Sequence, residues 1–413
     1  MGLMPPVEQV KRLKYVVSLR RSRVDGSEDG RPYVGLEHIE AGTGRLIRNG
    51  SEAQGELLEP VGGAEESLSN TFEIGDVLFG KLRPYLAKVW VAEFAGRCTT
   101  ELLVMEPRSI QARFLRYICL SRDFIDAVDA STFGSKMPRA DWDSIGNVPV
   151  PLPGKVAQAA IADYLDRETE RLDALVKAKE RMLGLLTEKR RALITRAVTH
   201  GLDPGASLRG SGVPWLGDIP EDWGTRRVAW LFRERDERGE PDLPLLEVSI
   251  NAGVVLREFS DDRIESTAAD FNTYKVARRG DVVFNKMRMW QGAVGVAAQD
   301  GLVSPDYVVA APTGALSSQY AGILFRTEAF SAECARRSHG IVWDRLRLYW
   351  EGFREIEVPL PSLDVQAEIV SHVATETGKL DGVRNATERT VVLLKERRSA
   401  LITDAVRGQL EVA

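Results

Sequence analysis

The chain has 413 residues, of which 44% are hydrophobic and 28% are charged, and its formal net charge is -5 at pH 7. This length and composition exclude a mainly disordered chain and allow two to four globular domains. The acidic balance argues against a strongly basic nucleic-acid coat protein, but it leaves room for local basic patches such as GTRRVAW at 224–230.

The cysteines Cys98, Cys119 and Cys334 are far apart and lack metal-ligand spacing, so neither a disulfide framework nor a zinc site is expected. No apolar run approaches the ~18 residues needed to cross a bilayer, and the first residues lack the apolar segment of a signal peptide. We therefore expect a cytoplasmic protein with no membrane partner.

The sequence contains no P-loop and no Gly-rich dinucleotide turn, and it predicts no catalytic residue, metal or cofactor in this chain.

The first region, 1–149, has short apolar runs separated by Gly, Asn and Asp, which is typical of a mixed α/β domain. In its stretch GDVLFGKLRP (75–84), Gly-Asp predicts a turn and Val-x-Phe a buried strand. Lys81 and Arg83 would then project from one strand face, where they suit DNA phosphates. The alternative is a strand that ends in solvated charges. Lys136 and Arg139, which follow a Gly-containing turn, are further candidates for DNA binding.

A long helix is predicted after Val-Pro-Leu-Pro at 150–153, because no proline interrupts the next 45 residues. Apolar residues recur with a period of 3.5, the signature of a coiled-coil seam. The predicted seam residues are Ile161, Leu165, Leu172, Leu175, Met182, Leu186 and Leu193. A rod of ~65 Å at ~1.5 Å per residue is longer than a small domain is wide, so we expect it to pair with another helix.

The second half of the chain repeats this plan. Residues 358–406 align without a gap on 150–198 at a displacement of 208, and they predict a second seam. Its residues are Ile369, Val373, Leu380, Val383, Leu394 and Leu401. Polar residues such as Glu168 and Glu376 interrupt the two seams at the same point, which favours a specified pairing of the two helices.

The region before this second helix, 213–357, carries GDVVFNKMRM at 280–289, a second copy of the first motif. Lys286 and Arg288 are therefore candidates for phosphate contact. Arg345 and Arg347, after the Gly-containing turn of RSHGIVWDRLRLYW (337–350), are candidates for base contact.

These patterns predict an α+β fold in which two mixed α/β domains alternate with two long helices. The helices would pair as an antiparallel coiled coil in an internal pseudo-twofold repeat. The expected boundaries are 1–153 for the first domain, 154–205 for the first helix, 206–361 for the second domain and 362–413 for the second helix. Two similar long helices that hold two divergent domains suit a ligand with two different parts. Duplex DNA with two different half-sites is such a ligand.

With this organisation, the sequence resembles the specificity subunits of Type I restriction-modification systems over essentially its whole length. The resemblance rests on the repeated Gly-Asp-Val motif, on VPWLGDIPEDW (213–223), and on Val-Pro-Leu-Pro before helices that end in RRALITRAV and RRSALITDAV. The first domain lacks a counterpart of VPWLGDIPEDW, so either its first strand is completed differently or the true start of the chain lies further upstream.

The resemblance implies a non-catalytic subunit with two target-recognition domains, each reading one half of an asymmetric, interrupted double-stranded DNA site. The helices would set the gap and dock two methyltransferase subunits. S-adenosylmethionine, Mg and ATP are expected in partner subunits, the ATP in the restriction/translocase subunits of a restriction complex. The alternative is a non-catalytic coiled-coil scaffold with two protein-binding heads, which the acidic balance favours slightly.

Overall fold

The computed structural model describes residues 2–3, 9–25, 30–47, 68–257, 271–340 and 346–412. Their contacts group into two units. Unit 1 comprises residues 1–180 and 388–413, and unit 2 comprises residues 181–387. The division falls inside both long helices, so each unit contains a stretch of each helix.

Before the first long helix, the described strands are β1 (Gly2–Leu3), β2 (Val10–Arg12), β3 (Val17–Leu19), β4 (Arg23–Asp25), β5 (Tyr33–Val34), β6 (Leu68–Phe72), β7 (Val77–Gly80), β8 (Val89–Val91), β9 (Gly96–Cys98), β10 (Leu102–Pro107) and β11 (Pro149–Pro151). The helices of this part are α1 (Ala112–Leu120), α2 (Arg122–Asp129) and α3 (Trp142–Ile145), followed by the long helix α4 (Lys155–His200).

After α4, the described strands are β12 (Leu208–Gly210), β13 (Asp218–Pro220), β14 (Gly224–Arg227), β15 (Phe232–Arg235), β16 (Leu246–Ser249), β17 (Gly253–Leu256), β18 (Lys275–Ala277), β19 (Val282–Asn285), β20 (Val294–Val296), β21 (Gly301–Val303), β22 (Tyr307–Pro312), β23 (Glu357–Leu360) and β24 (Glu411–Val412). The helices are α5 (Val228–Leu231), α6 (Ser318–Leu324), α7 (Glu328–Arg337), α8 (Trp350–Arg354) and the long α9 (Leu363–Val406).

Each unit is built around the same four-stranded antiparallel sheet. Its order is β3-β10-β7-β8 in unit 1 and β15-β22-β19-β20 in unit 2. In β7, Val77 and Phe79 belong to the apolar core that includes α1 and α2, while Leu78 belongs to a second core on the other face. The sheet is thus buried on both faces, which explains why the repeated motif is continuously apolar rather than alternating.

A short antiparallel ribbon connects each sheet to its long helix: β2 pairs with β11, and β14 pairs with β23. A further ribbon, β12 with β13, precedes this point in unit 2. In unit 1 the corresponding place along the chain is taken by β1, which pairs with β24 from the other end of the chain. The first domain is therefore completed by the C-terminal strand, the first of the two alternatives that the missing counterpart of VPWLGDIPEDW left open.

A buried glutamine attaches each long helix to its domain in the same way. The Oε1 atom of Gln158 accepts a hydrogen bond from the backbone N–H of Gln111 at 2.8 Å, and its Nε2 donates to Pro153 O at 2.8 Å. Gln366 repeats this with Ser317 N at 2.7 Å and Pro361 O at 2.9 Å. Both glutamines are almost fully buried, so these bonds replace hydration that the amides lose on folding.

Asp166 of α4 provides a polar attachment to α1 in unit 1. Its carboxylate accepts hydrogen bonds from Tyr117 at 2.6 Å and from Arg113, and it forms an ion pair with Arg116. Burial opposes its ionisation, but these hydrogen bonds and the two arginine charges outweigh burial and lower the pKa of Asp166 below its ordinary value.

The two long helices pair in antiparallel fashion within each unit. In unit 1, Asp173 forms an ion pair with Arg398 at 2.8 Å and Glu180 with Lys395 at 3.0 Å. Residues further along α4 therefore contact residues that lie earlier in α9, as in an antiparallel pair. In unit 2, Arg190 donates a hydrogen bond to Asp381 at 2.6 Å. The predicted α+β fold with paired long helices is confirmed.

The helix seam differs from the predicted one at alternate positions. The predicted residues Leu175, Met182 and Val383 are exposed by 43%, 36% and 43%. The other predicted seam residues are buried or half-buried. The polar interruptions also shift by one residue, because Thr169 and Thr377 are buried in place of Glu168 and Glu376. The observed seam has buried or half-buried residues at spacings of four and three, except in α9 between Leu380 and Thr387, where the intervening Arg384 is exposed. It consists of Leu165, Thr169, Leu172, Val176, Lys179, Leu183, Leu186, Arg190, Leu193 and Ala197 in α4 and of Val373, Thr377, Leu380, Thr387, Val391, Leu394, Arg398, Leu401 and Ala405 in α9.

The Asp-Arg pairs of the two units are copies of each other, since Asp173 and Arg190 precede Asp381 and Arg398 by 208 residues. Their surroundings differ. In unit 1 both side chains are nearly buried, at 13% and 11% exposure. Arg398 also donates to the carbonyl oxygen of Gly42 at 2.7 Å, and Arg45 approaches Asp173 at 3.0 Å. In unit 2 the pair is far more exposed.

Candidate functional site

The Gly-Asp of the repeated motif is a structural anchor. Gly75 and Gly280 have φ values of 86° and 92°, which favour glycine. The aspartate that follows each of them is 2% exposed. Asp76 accepts hydrogen bonds from Arg20 Nε at 2.7 Å and from the backbone N–H of Glu73 at 2.8 Å. The hydrogen bond to Asp76 raises the pKa of Arg20.

Unit 2 repeats this anchor. Asp281 accepts from Arg235 Nε at 2.7 Å and from the backbone N–H of Arg278 at 2.9 Å. The pairing of this aspartate with an arginine at the end of the sheet's edge strand was missed in the sequence, although both partners are charged residues at matching places in the two halves.

The Lys-x-Arg that ends the motif lies beyond the strand in both units. β7 ends at Gly80 and β19 at Asn285, one residue before Lys81 and Lys286. Arg83 then adopts a left-handed conformation with φ of 50° at the start of a 3-10 turn. The prediction that the lysine and the arginine of each motif project from the same face of a strand is therefore wrong, because in each unit the strand ends before the lysine.

A loop brings the other predicted cations of unit 1 to this segment. Phe133 and Arg139 exchange backbone hydrogen bonds of 3.0 Å and close the loop 134–138, which contains Lys136. The backbone N–H of Ala140 donates to Lys81 O at 3.0 Å, and that of Arg83 donates to Pro138 O at 2.7 Å. Lys81, Arg83, Lys136 and Arg139 are thus parts of one surface, although more than 50 residues separate the two segments.

Unit 2 repeats the loop closure and the bond to the lysine carbonyl, whereas the backbone N–H of Arg288 donates to Asn285 O. His339 and Arg347 exchange backbone hydrogen bonds of 2.9 Å, and Leu348 N donates to Lys286 O at 2.9 Å. Lys286 and Arg347 therefore share one surface, and Arg288 lies two residues from Lys286. The predicted contact residue Arg345 lies outside the described residues. We name these two surfaces the loop patches: residues 81–83 with 134–139 in unit 1, and residues 286–288 with the described ends of the matching loop in unit 2.

Most cations of the loop patches face solvent without a carboxylate partner. Arg83, Lys136, Arg288 and Arg347 are exposed, and no described carboxylate forms an ion pair with any of them. Arg139 differs, since its Nε donates to Glu101 at 3.1 Å. Unpaired exposed cations can neutralise phosphate without first breaking an ion pair, whereas Arg139 must exchange its partner.

Apolar side chains accompany these charges in unit 1. Phe133 and Met137, at the base and tip of the loop, are exposed by 61% and 54%. Sequence reasoning singled out only the charges of this loop. An apolar residue next to Gly and Lys in a turn was the available signal, because turns are ordinarily polar.

In the part of the chain that the structure describes, no helix is long and apolar enough to cross a membrane.

Two units with one fold, each with a stretch of an antiparallel helix pair and its own cationic loop patch, define a tandem-repeat α+β protein. This class matches known structures. A chain solved in work on the structural basis of complex assembly and conformational transition of the type I R-M system aligns with a TM-score of 0.75 and 18% identity, over 99% of this chain and 100% of that chain. The HsdS subunit from Thermoanaerobacter tengcongensis aligns with a TM-score of 0.54 and 18% identity, over 98% of each chain.

Sequence comparison leads to the same group of proteins. The specificity subunit of the Escherichia coli type I restriction enzyme EcoDI is 25% identical over 165 residues, which cover 40% of this chain and 35% of that protein. The match therefore spans about a third of the relative's length. No protein-family model matches the chain. The resemblance to type I specificity subunits is confirmed, and the chain has their fold over nearly its whole length.

Proposed function

We propose that this chain is the DNA specificity subunit of a type I restriction-modification complex, in which each unit reads one half of a bipartite, asymmetric DNA site. The observation that carries this proposal is the recurrence of the loop patch. The same anchor, the same loop closure and the same backbone bond to the lysine carbonyl present cations in both units, while the loops themselves differ in sequence. A shared cationic frame suits the uniform phosphate backbone, and divergent loops suit two different half-sites.

The proposal assigns the chemistry to partners. Two methyltransferase subunits would bring S-adenosylmethionine, and restriction/translocase subunits would use ATP and Mg. This chain would contribute recognition without catalysis. The paired helices would fix the number of bases between the half-sites, since α4 runs without interruption from Lys155 to His200 and α9 from Leu363 to Val406.

Genome-wide mapping of adenine methylation tests the proposed function. In matched strains with and without this gene, we expect loss of one interrupted, two-part motif when the gene is deleted. The same map supplies both half-sites and the gap. A methylome that is unchanged by deletion, in cells that express the gene, would contradict the proposal.

Replacing Lys286 and Arg288 together by alanine should weaken DNA binding for all sequences alike. The two changes remove one half-buried and one exposed cation of the unit 2 loop patch, so the slope of log K against log salt should become flatter by about 1–2. Binding of the assembled complex to its own site and to an unrelated duplex, between about 50 and 200 mM salt, measures this. The matched control is the pair Lys379→Ala and Arg389→Ala, exposed cations on α9.

A change in preferred sequence, with the salt slope unchanged, would instead make Lys286 and Arg288 base-reading residues. The scaffold alternative is tested by the same titration, because a protein without nucleic-acid contacts would show no affinity that falls with salt.

A further inference from the structure

An exposed aromatic side chain occupies the same place in both units. Tyr15 is the last residue of a 3-10 turn, Leu13–Tyr15, between β2 and β3. Trp230 is the third residue of α5, between β14 and β15. They are 66% and 74% exposed, respectively. A single exposed aromatic is ordinary on a protein surface, but an equivalent one in two diverged units calls for a shared cause.

Both turns are firmly held, so the exposure of the rings does not come from a loose segment. Leu13 and Val228 at the start of the turns are fully buried. The backbone N–H of Leu13 donates to Val148 O at 3.0 Å, and that of Val228 donates to Ile356 O at 2.9 Å. In unit 2, the hydroxyl of Thr313 also donates to the carbonyl oxygen of Trp230 at 3.1 Å. The rings are thus presented on rigid backbone, which limits the entropy lost when they are bound.

The aromatic side chains lie at the end of the sheet opposite the loop patches. Phe232, at the start of β15, pairs with Pro312 at the end of β22, whereas Asn285, at the end of β19, pairs with Tyr307 at its start. Trp230 precedes β15 and Lys286 follows β19, so the six residues of β22, about 20 Å at ~3.3 Å each, separate them. A duplex on the loop patch would therefore leave Trp230 free.

Unit 1 has the same geometry. Val17 at the start of β3 pairs with Pro107, the last residue of β10, while Gly80 at the end of β7 pairs with Leu102, the first. Tyr15 therefore lies near the end of β10, and Lys81 lies near its beginning. In each unit, one sheet separates two distinct surfaces.

Basic side chains accompany both rings. Lys11, Arg12 and Lys14 are exposed near Tyr15, and Lys14 Nζ lies 5.5 Å from the centroid of its ring. Arg226 and Arg227 are exposed next to α5, and Arg227 forms ion pairs with Glu355 at 3.0 Å and with Glu357 at 3.6 Å. This combination of an aromatic ring and cations fits an apolar pocket rimmed by carboxylates on a protein partner, since Trp, Tyr and Arg dominate binding energy at such contacts.

We infer that Tyr15 and Trp230 are equivalent anchors for two copies of one partner protein, each copy binding one unit through an apolar pocket with an acidic rim. Because the two surfaces are equivalent, each would bind the same partner protein. The loop patches differ from them in this respect, since they are proposed to read two different half-sites. The inference rests on the proposed function in one respect, namely that the methyltransferase subunit of the complex is that partner.

The test is the stoichiometry of the complex formed by the full-length chain with its methyltransferase subunit, measured by mass photometry over a dilution series. Wild-type chain should carry two copies. Trp230→Ala and Tyr15→Ala should each weaken one copy by about 30-fold and leave the other in place, and the double variant should weaken both. Trp230→Phe should retain most of the affinity.

The matched controls are Phe133→Ala, next to the unit 1 loop patch, and Met287→Ala, within the unit 2 loop patch; both remove exposed apolar side chains at the other end of the sheet and should retain two copies. Because Tyr15 and Trp230 are exposed, their variants should keep the thermal unfolding temperature of the wild type, which separates a lost contact from a lost fold.

Two bound copies with unchanged affinity in the double variant would overturn the inference and leave the proposed function intact. Weakened DNA binding with both copies retained would assign the rings to nucleic acid and overturn it as well. A wild-type chain that binds no methyltransferase subunit would contradict the inference and the partner assigned in the proposed function together.

Discussion

Replacing Asp173 by asparagine should destabilise unit 1 by about 3 kcal/mol, because it leaves Arg398 and Arg45 without the carboxylate that both contact. Arg398 is 11% exposed, so water cannot replace the lost charge. The same substitution at Asp381 should cost about 0–1 kcal/mol, since its pair with Arg190 is largely solvated. The internal repeat thus supplies its own control: the same residue type, helix position and partner in a different environment.

Hydrogen exchange followed by mass spectrometry measures this difference locally, without assuming that the whole chain unfolds in one step. In Asp173→Asn, amides of α4 around residues 166–180 and of residues 42–45 should exchange about 100-fold faster, as 3 kcal/mol implies. Asp381→Asn should leave protection in unit 2 close to that of the wild type. Equal effects of the two substitutions would show that burial does not set the strength of this pair.

If the proposed function holds, exchanging residues 16–147 for the corresponding segment of a type I specificity subunit should replace one half-site completely and leave the other unchanged. The junctions lie just inside the ribbon of β2 and β11, so the ribbon, Tyr15 and both long helices stay in place. The sheet and loop patch of unit 1 move as one body, because their core residues come from within that segment and from the retained turn, ribbon and helices, which keep Leu13 and Val150 in place. The methylation motif of cells that carry the hybrid is the measurement.

The reciprocal exchange of residues 232–354 is the matched control, and it should alter the other half-site alone. A hybrid in which both halves of the motif change would show that each half-site is read by both units, which the separate cores do not support.

The helices and their pairing were predictable from the period of 3.5, but the exact seam was not. Leu175 and Val176 are adjacent apolar residues, as are Met182 and Leu183, so α4 carries two apolar stripes about one residue apart. The choice between them depends on which residues the antiparallel partner and the domain bury, and no property of α4 alone records that choice.

The loop patches were predictable in part. The motif and the Gly-containing turns identified Lys81, Arg83, Lys136 and Arg139 separately, while their assembly depends on backbone hydrogen bonds between segments more than 50 residues apart. The direction of Arg83 could not be derived from strand alternation, since the strand ends at Gly80 and Pro84 begins a 3-10 turn. The functional roles of these cations remain predictions.

The pairing of β1 with β24 brings the first and last strands of the chain together, with Gly2 opposite Val412 and Leu3 opposite Glu411. In unit 2 the matching ribbon, β12 with β13, is formed by one continuous segment. The connectivity of the molecule is therefore nearly that of a closed ring, with a single cut in unit 1. A gene that cut the ring in the exposed turn at 203–205 would encode the two mixed α/β domains in the opposite order, with the same contacts inside each unit. In such a protein, the order of the two domains along the chain would record the position of the genetic cut and nothing about the structure of either unit.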